Sequence, residues 1–209
     1  MAKKPVSLGK RVKDFVRESS RGGKVNTASF RDKKILLSFH PLAWTSVCGR
    51  QMQALDAAYP ELEKLKTVPL GISVDSAPSK AAWAKVLRLK KLHLLADFWP
   101  HGETAKKLGV FDKKGGNSLR ANIILGKKRK VIFCRVYPVS QLPDLKEVLL
   151  FLKKKAAHEA EGSGKIPAAK IKAKKSTMIK PAAKKPAETP KALPAEKPAD
   201  KPADKPPEA

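Results

Sequence analysis

The chain has 209 residues, 42% of them apolar, which suffices for one buried core with an appendage. Its longest apolar run near the end of the expected domain, Val148 to Leu152, is far short of the roughly 18 residues that cross a bilayer, and the N-terminus MAKKPVSLGKRVKDF lacks the apolar stretch of a secretory signal. Two cysteines 86 residues apart make neither a disulfide framework nor a zinc site, and 45 basic against 19 acidic side chains leave a net charge of +26.

These features predict a cytoplasmic protein with redox or nucleophilic cysteine chemistry. The charge is unevenly spread. Residues 1–157 hold 33 of the basic and 12 of the acidic side chains, so the expected domain is itself strongly basic. Such a surface attracts RNA, DNA or other polyanions without a sequence-reading motif, or serves only as a solvated face.

In chain order, short strands are expected near Lys13 to Arg17 and Lys24 to Asn26, joined at Gly22-Gly23 as a hairpin. Ile35 to His40 is an apolar run stopped by Pro41, which predicts a strand buried on both faces. After the loop PLAWTSV, apolar Met52, Leu55, Ala58, Tyr59 and Leu62 recur at helical spacing, with Pro60 kinking the helix or opening a second one. Val68 to Val74 is the next strand. Asp75 to Ser79 supplies a cap region for a helix over Lys80 to Leu89.

Leu92 to Ala96 then reads as a strand and Glu103 to Leu108 as a short helix. Asn122 to Leu125 and Val131 to Val136 flank the turn GKKRK as an antiparallel hairpin. Pro143 opens a last helix with Leu145, Val148, Leu149 and Leu152 on one face. A strand–helix–strand–helix half followed by a hairpin and a closing helix is the order of a thioredoxin-like α/β fold, with a central mixed sheet flanked by helices. Residues 158–209 are expected to be a disordered Lys/Pro/Ala-rich tail, because few large apolar groups there offset the entropy of ordering. Residues 165 to 185 carry eight lysines and no acid, so Lys165 to Lys185 is the stretch of the tail suited to an anion.

Chemistry points to Cys48. It sits where a buried strand passes through a loop into the first turn of a helix, where unpartnered N–H groups and the helix dipole stabilise a thiolate. Thr45 can offer its hydroxyl to the sulfur or to a bound oxygen, and Pro41 can turn the chain and limit water access.

The segment LLSFHPLAWTSVCGRQMQAL resembles the peroxiredoxins, whose Pro-x-x-x-Thr-x-x-Cys signature falls on Pro41, Thr45 and Cys48. GISVDS, LLADFWPHGETAKKLGVF, SLRANIIL and SQLPDLKEVLLFL are similar to later landmarks of that family, over about residues 8 to 155. The resemblance implies that Cys48 thiolate attacks a hydroperoxide O–O bond and becomes a sulfenic acid, in antioxidant defence and redox homeostasis. It assigns stabilisation of the leaving oxygen to the Thr45 hydroxyl, the amides near Val47 and Cys48, and the Arg120 guanidinium, so that Pro41, Thr45, Cys48 and Arg120 form the implied site. No cofactor or metal is implied, and a homodimer is among the assemblies allowed. Two departures stand out: Lys13 replaces an early proline, and Gln51 replaces an acid three residues past the cysteine.

A sulfenic acid needs a second thiol. Cys134, in the apolar run VIFCRV, reads first as a small buried hydrophobe. Neither Gln53 nor the helix over Lys80 to Leu89 supplies a partner where some relatives keep one. A one-cysteine cycle is therefore expected, using thioredoxin, glutaredoxin or a low-molecular-weight thiol. His40 either shapes the peroxide pocket or packs, Trp44 is a loop-packing aromatic, and His101 is a surface residue with no partners at metal spacing. Two other readings are a nucleic-acid-associated sensor or scaffold on the same fold, and disulfide exchange. The latter is disfavoured because position 51 is glutamine, leaving no Cys-x-x-Cys pair.

Overall fold

The computed structural model describes residues 4–161, so the expected tail lies outside the described residues from position 162 onward. The strands are β1 (Val16–Ser19), β2 (Lys24–Asn26), β3 (Lys34–Phe39), β4 (Thr67–Ser73), β5 (His93–Ala96), β6 (Phe111–Asp112), β7 (Asn117–Ser118), β8 (Arg120–Leu125) and β9 (Val131–Tyr137). The helices are α1 (Ser46–Ala57), α2 (Tyr59–Lys64), α3 (Ala77–Val86), α4 (Glu103–Lys107) and α5 (Leu145–Glu161). A seven-stranded sheet runs β2-β1-β5-β4-β3-β8-β9, while β6 and β7 pair separately. The pairs β3/β4 and β4/β5 are parallel, and β1/β2, β1/β5, β3/β8 and β8/β9 are antiparallel, so the sheet is mixed.

Every residue of β3 and β4 is buried, because these strands occupy the middle of the sheet with packed groups on both faces. The pleat sends Ile35, Leu37 and Phe39 to one core, with Leu70, Ile72, Ile123, Ala105 of α4 and Leu108 just after it. Leu36 faces the other core, with Ile124, Met52 and Leu55 of α1, Trp83 of α3, and Val148 and Leu152 of α5. Gly71 of β4 also faces α1. A Cβ there would lie 2.5 Å from Met52 Sδ and 2.7 Å from Leu94 Cδ2, so the missing side chain lets α1 seat directly on the sheet and fixes the height of Cys48 above it.

Pro60 lies in the first turn of α2, so it opens a second helix. Several boundaries differ from expectation, most of them by one or two residues at strand ends. The first strand starts at Val16 instead of Lys13, because the preceding residues run beside the β8–β9 turn, with Arg11 bridging Lys130 and the Val12 amide bonded to Arg129 O at 2.9 Å. The third helix covers Ala77–Val86 in place of Lys80 to Leu89. Ser76 is its N-cap, Arg88 turns the chain at φ 55°, and the Asp56 carboxylate takes the amides of Lys90, Lys91 and Leu92. The last helix begins at Leu145, after Asp144, whose Oδ1 accepts the Lys146 amide at 2.9 Å; Pro143 lies outside it. That helix continues to Glu161, past the boundary expected at 157, through strong helix formers such as Ala156 and Ala157. The Lys34–Glu159 ion pair at 3.1 Å ties its end to β3.

Replacing Gly71 with alanine is expected to lower stability by about 1–3 kcal/mol, as overpacking displaces Met52 and Leu94. Urea unfolding of the full chain would measure this, and an unchanged midpoint would show that α1 has slack above β4.

Candidate active site

β3 ends at Phe39, and the chain crosses buried His40 and Pro41 before entering α1 at Ser46. Thr45 is the N-cap residue of α1, with an extended backbone (φ −103°, ψ 145°), and Cys48 falls in the first turn. The sulfur residue is 1% exposed. The loop is tied down by the Ala43 amide, which donates to Asp75 Oδ2 at 2.9 Å.

Arg120, the first residue of β8, reaches the same point from the neighbouring strand. It is 2% exposed. Its Nη2 donates to Cys48 Sγ at 3.4 Å and to Val139 O at 2.8 Å, its Nε donates to Val139 O at 3.1 Å, and its Nη1 donates to Gln51 Oε1. Gln51 then donates through Nε2 to Ser38 Oγ (2.9 Å) and Phe39 O (3.2 Å), and Ser38 donates to Asn122 Oδ1 at 2.8 Å. Asn122, Ser38, Gln51, Arg120 and Cys48 thus form one buried chain of hydrogen bonds across β8, β3 and α1.

Among the described residues no carboxylate pairs with Arg120. Gln51 keeps the contact that an acid would make without cancelling the charge, so the guanidinium's field falls on the sulfur.

Of the four residues expected to form the site, the structure brings Cys48 and Arg120 into contact and places buried Pro41 and the N-cap Thr45 on the adjoining loop. The Thr45 hydroxyl is exposed and donates to Leu42 O at 3.2 Å. Trp44 is not packed. It is 55% exposed at φ 64°, and its Nε1 donates to Ser79 Oγ at 3.0 Å. His101 sits on a surface loop, with Nε2 2.6 Å from Gly116 O. Ser38, Gln51, Asn122 and Asp75 carry much of the support; Gln51 stood out in the sequence as a departure from the family pattern, whereas Ser38 and Asn122 were detectable only as polar residues in stretches otherwise expected to be buried.

Cys134 lies elsewhere. It pairs with Ile123 in the β8/β9 ladder and packs into the Ile35–Leu37–Phe39 core, whereas Cys48 belongs to the opposite core. The sheet separates the two sulfurs, and burial pushes the Cys134 thiol above its usual range, favouring the unreactive protonated form.

A family model described as the AhpC/TSA family matches residues 8–134. The chain belongs to this family, the peroxiredoxins. It is 29% identical over 167 residues to Peroxiredoxin 2 of Picrophilus torridus, covering 78% of this chain and 80% of that one. It is likewise 29% identical over 140 residues to Alkyl hydroperoxide reductase E of Mycobacterium tuberculosis, covering 66% and 91%. The reduced 2-Cys peroxiredoxin of Plasmodium vivax superposes with a TM-score of 0.69 at 28% identity, covering 76% of this chain and 86% of that one. This peroxiredoxin is accordingly a thiol-dependent peroxidase with a thioredoxin-like fold, and among the described residues no helix is long and apolar enough to cross a membrane.

His40 contributes a pH dependence. It has no exposed surface, and its ring lies 5.3 Å from that of Trp83. Burial first, and then the Lys80 charge, hold its imidazole well below the ordinary 6.5. The unfolded chain therefore binds more protons than the folded one as pH falls below 6.5, and stability declines with it. Unfolding midpoints in urea are expected to fall from pH 7 to pH 5, and His40→Phe to flatten that slope; an identical slope in the variant would exclude His40 as the source.

Proposed function

We propose that this peroxiredoxin reduces hydrogen peroxide or organic hydroperoxides through a Cys48 sulfenic acid, with Arg120, Thr45 and Pro41 completing the site. The observation that carries this reading is the Arg120 Nη2 contact with Cys48 Sγ at 3.4 Å, where no carboxylate of the described residues competes for the guanidinium. The thiolate attacks one peroxide oxygen, an S–O bond forms as the O–O bond breaks, and the departing oxygen takes up a proton as water or alcohol. Arg120 balances charge on the attacking sulfur and on the leaving oxygen, and the first-turn amides of α1 add donors. Thr45, at the N-cap position of α1, turns its hydroxyl away from Leu42 O and toward bound peroxide. Buried Pro41 walls the sulfur from water.

The sulfenic acid condenses with an external thiol, releasing water. A second thiol then returns Cys48 to its reduced form and leaves as a disulfide. Thioredoxin, glutaredoxin or a low-molecular-weight thiol fits this one-cysteine cycle, because Cys134 lies across the sheet. Cys48→Ser is expected to abolish NADPH-coupled turnover and sulfenic acid trapping, Arg120→Met to slow peroxide reduction about 10²- to 10³-fold, and Cys134→Ser to leave turnover within about twofold. Full turnover by Cys48→Ser would overturn the assignment.

A second role, binding the phosphate backbone of nucleic acid, is supported by where the charge gathers. The strand ends far from Cys48 carry exposed Lys33 before β3, Lys66 before β4 and Lys127, Lys128 and Lys130 in the β8–β9 turn. Beside that turn, Lys10, Arg11, Lys13 and Lys107 line a cleft of about 260 Å³. Its acid, Asp14, is already paired with Arg129 at 2.7 Å. β3 is six residues long, which puts this pole roughly 20 Å from the sulfur. RNA or DNA affinity of the full chain is expected to fall steeply with salt, and reversing Lys127, Lys128 and Lys130 to glutamate to weaken the slope. Affinity unchanged by salt or by these substitutions would remove this role, as would complete loss on deleting residues 162–209 alone.

A further inference from the structure

Lys80 is an ammonium-bearing side chain with no exposed surface, on the inner side of α3, and such a group persists in a core only when it is paired. Its Nζ donates to Ser73 Oγ at 2.5 Å, and that hydroxyl donates to Asp75 Oδ2, also at 2.5 Å. The same carboxylate oxygen accepts the Ala43 amide at 2.9 Å. Three hydrogen bonds therefore run from α3, through the end of β4, to the middle of the loop between Pro41 and Thr45.

The same helix holds the loop at a second point, where Trp44 Nε1 donates to Ser79 Oγ at 3.0 Å. Trp44 has φ 64°, a left-handed conformation that bulky residues avoid, so its neighbours must impose it. Nothing in the peroxidase chemistry above uses Lys80, Ser73 or Asp75.

We propose that Lys80 is a positioning residue for the peroxidase reaction: acting through Ser73 and Asp75, it clasps the Ala43 amide and sets how the Pro41–Thr45 loop lies over Cys48. This inference rests on the reading of Cys48 as the peroxide-reducing sulfur. The clasp depends on the ammonium's charge. Four groups on neighbouring elements face Lys80: Asp75 between β4 and α3, Asp97 after β5, Cys48 on α1 and His40 after β3. Asp97 is engaged by Arg17 and by the amides of Thr104 and Ala105, which leaves Asp75 as the carboxylate in the Lys80 chain.

Burial lowers Lys80 to about 7, with Asp75, Asp97 and Cys48 opposing that fall. On the acid side of this value the ammonium compensates Asp75 and the loop is held. On the alkaline side the amine is neutral, Asp75 loses its counter-charge and the clasp on Ala43 loosens.

The test uses the full-length reduced chain, with Lys80→Met, Ser73→Ala and the double variant. In ¹⁵N NMR between pH 6 and 8.5, the Ala43 amide is expected to titrate near 7 in the parent and to lie flat in Lys80→Met. Stopped-flow reaction with hydrogen peroxide at pH 6.5 is expected to slow about tenfold in each single variant, with no further loss in the double variant because both cut one chain. A parent Ala43 amide that does not titrate, one that titrates equally in Lys80→Met, or single-variant rates within twofold of the parent would overturn the proposal. If Lys80→Met does not fold, Ser73→Ala decides by the same amide signal. A parent Cys48 inert to peroxide would sink the peroxidase reading instead, while the Ala43 titration still judges the clasp.

Discussion

A guanidinium removed from water must find charge or dipoles nearby, and at Arg120 that requirement organises the molecule. The guanidinium is met by the Val139 carbonyl, the Gln51 amide oxygen and the Cys48 sulfur, with no carboxylate among the described residues. Carbonyl and amide dipoles satisfy its hydrogen bonds but leave the charge uncancelled. The remaining partner able to supply a negative charge is the sulfur. The hydrogen bonds that stabilise the buried cation thus also fix where it meets the Cys48 sulfur.

The sheet makes that contact available. β3 and β8 are neighbours, so the end of β3, which launches the cysteine loop, lies beside the start of β8, which carries Arg120. Gly71 lets α1 approach the strands closely enough for its first turn to meet that arginine. Ser38 and Asn122, cross-strand partners in the β3/β8 ladder, stack a polar step beneath Gln51 and lock its amide orientation. The same sheet keeps Cys134 in the opposite core, away from Cys48.

Around this rigid centre, the adjustable part is the loop from His40 to Thr45. Its backbone is fixed from outside by Asp75, and its exposed tryptophan by Ser79, both belonging to the approach and first turn of α3. Two buried nitrogen bases, His40 and Lys80, flank it, and burial lowers both toward neutrality. Excess positive charge beside Arg120 is thereby limited. Exposed Lys33, Lys66, Lys127, Lys128 and Lys130 stand at the far end of the sheet, where water screens them.

Much was legible in the sequence because it depends on neighbours along the chain. The apolar run before Pro41, the helical spacing after Ser46, the cap residues before α3 and the β8–β9 hairpin are local patterns, and each became an element of the expected type. Pro41, Thr45 and Cys48 were recognisable from their spacing, and Arg120 from its place in SLRANIIL. Four things were decided by the tertiary structure: Gln51 bonded between Arg120 and Ser38, Thr45 turned to Leu42 O, Cys134 across the sheet, and Lys80 bonded through Ser73 toward Ala43. Hydrogen-bond partners and burial arise from residues far apart in sequence, and no local period encodes which face of a sheet a cysteine meets or which loop a buried lysine holds.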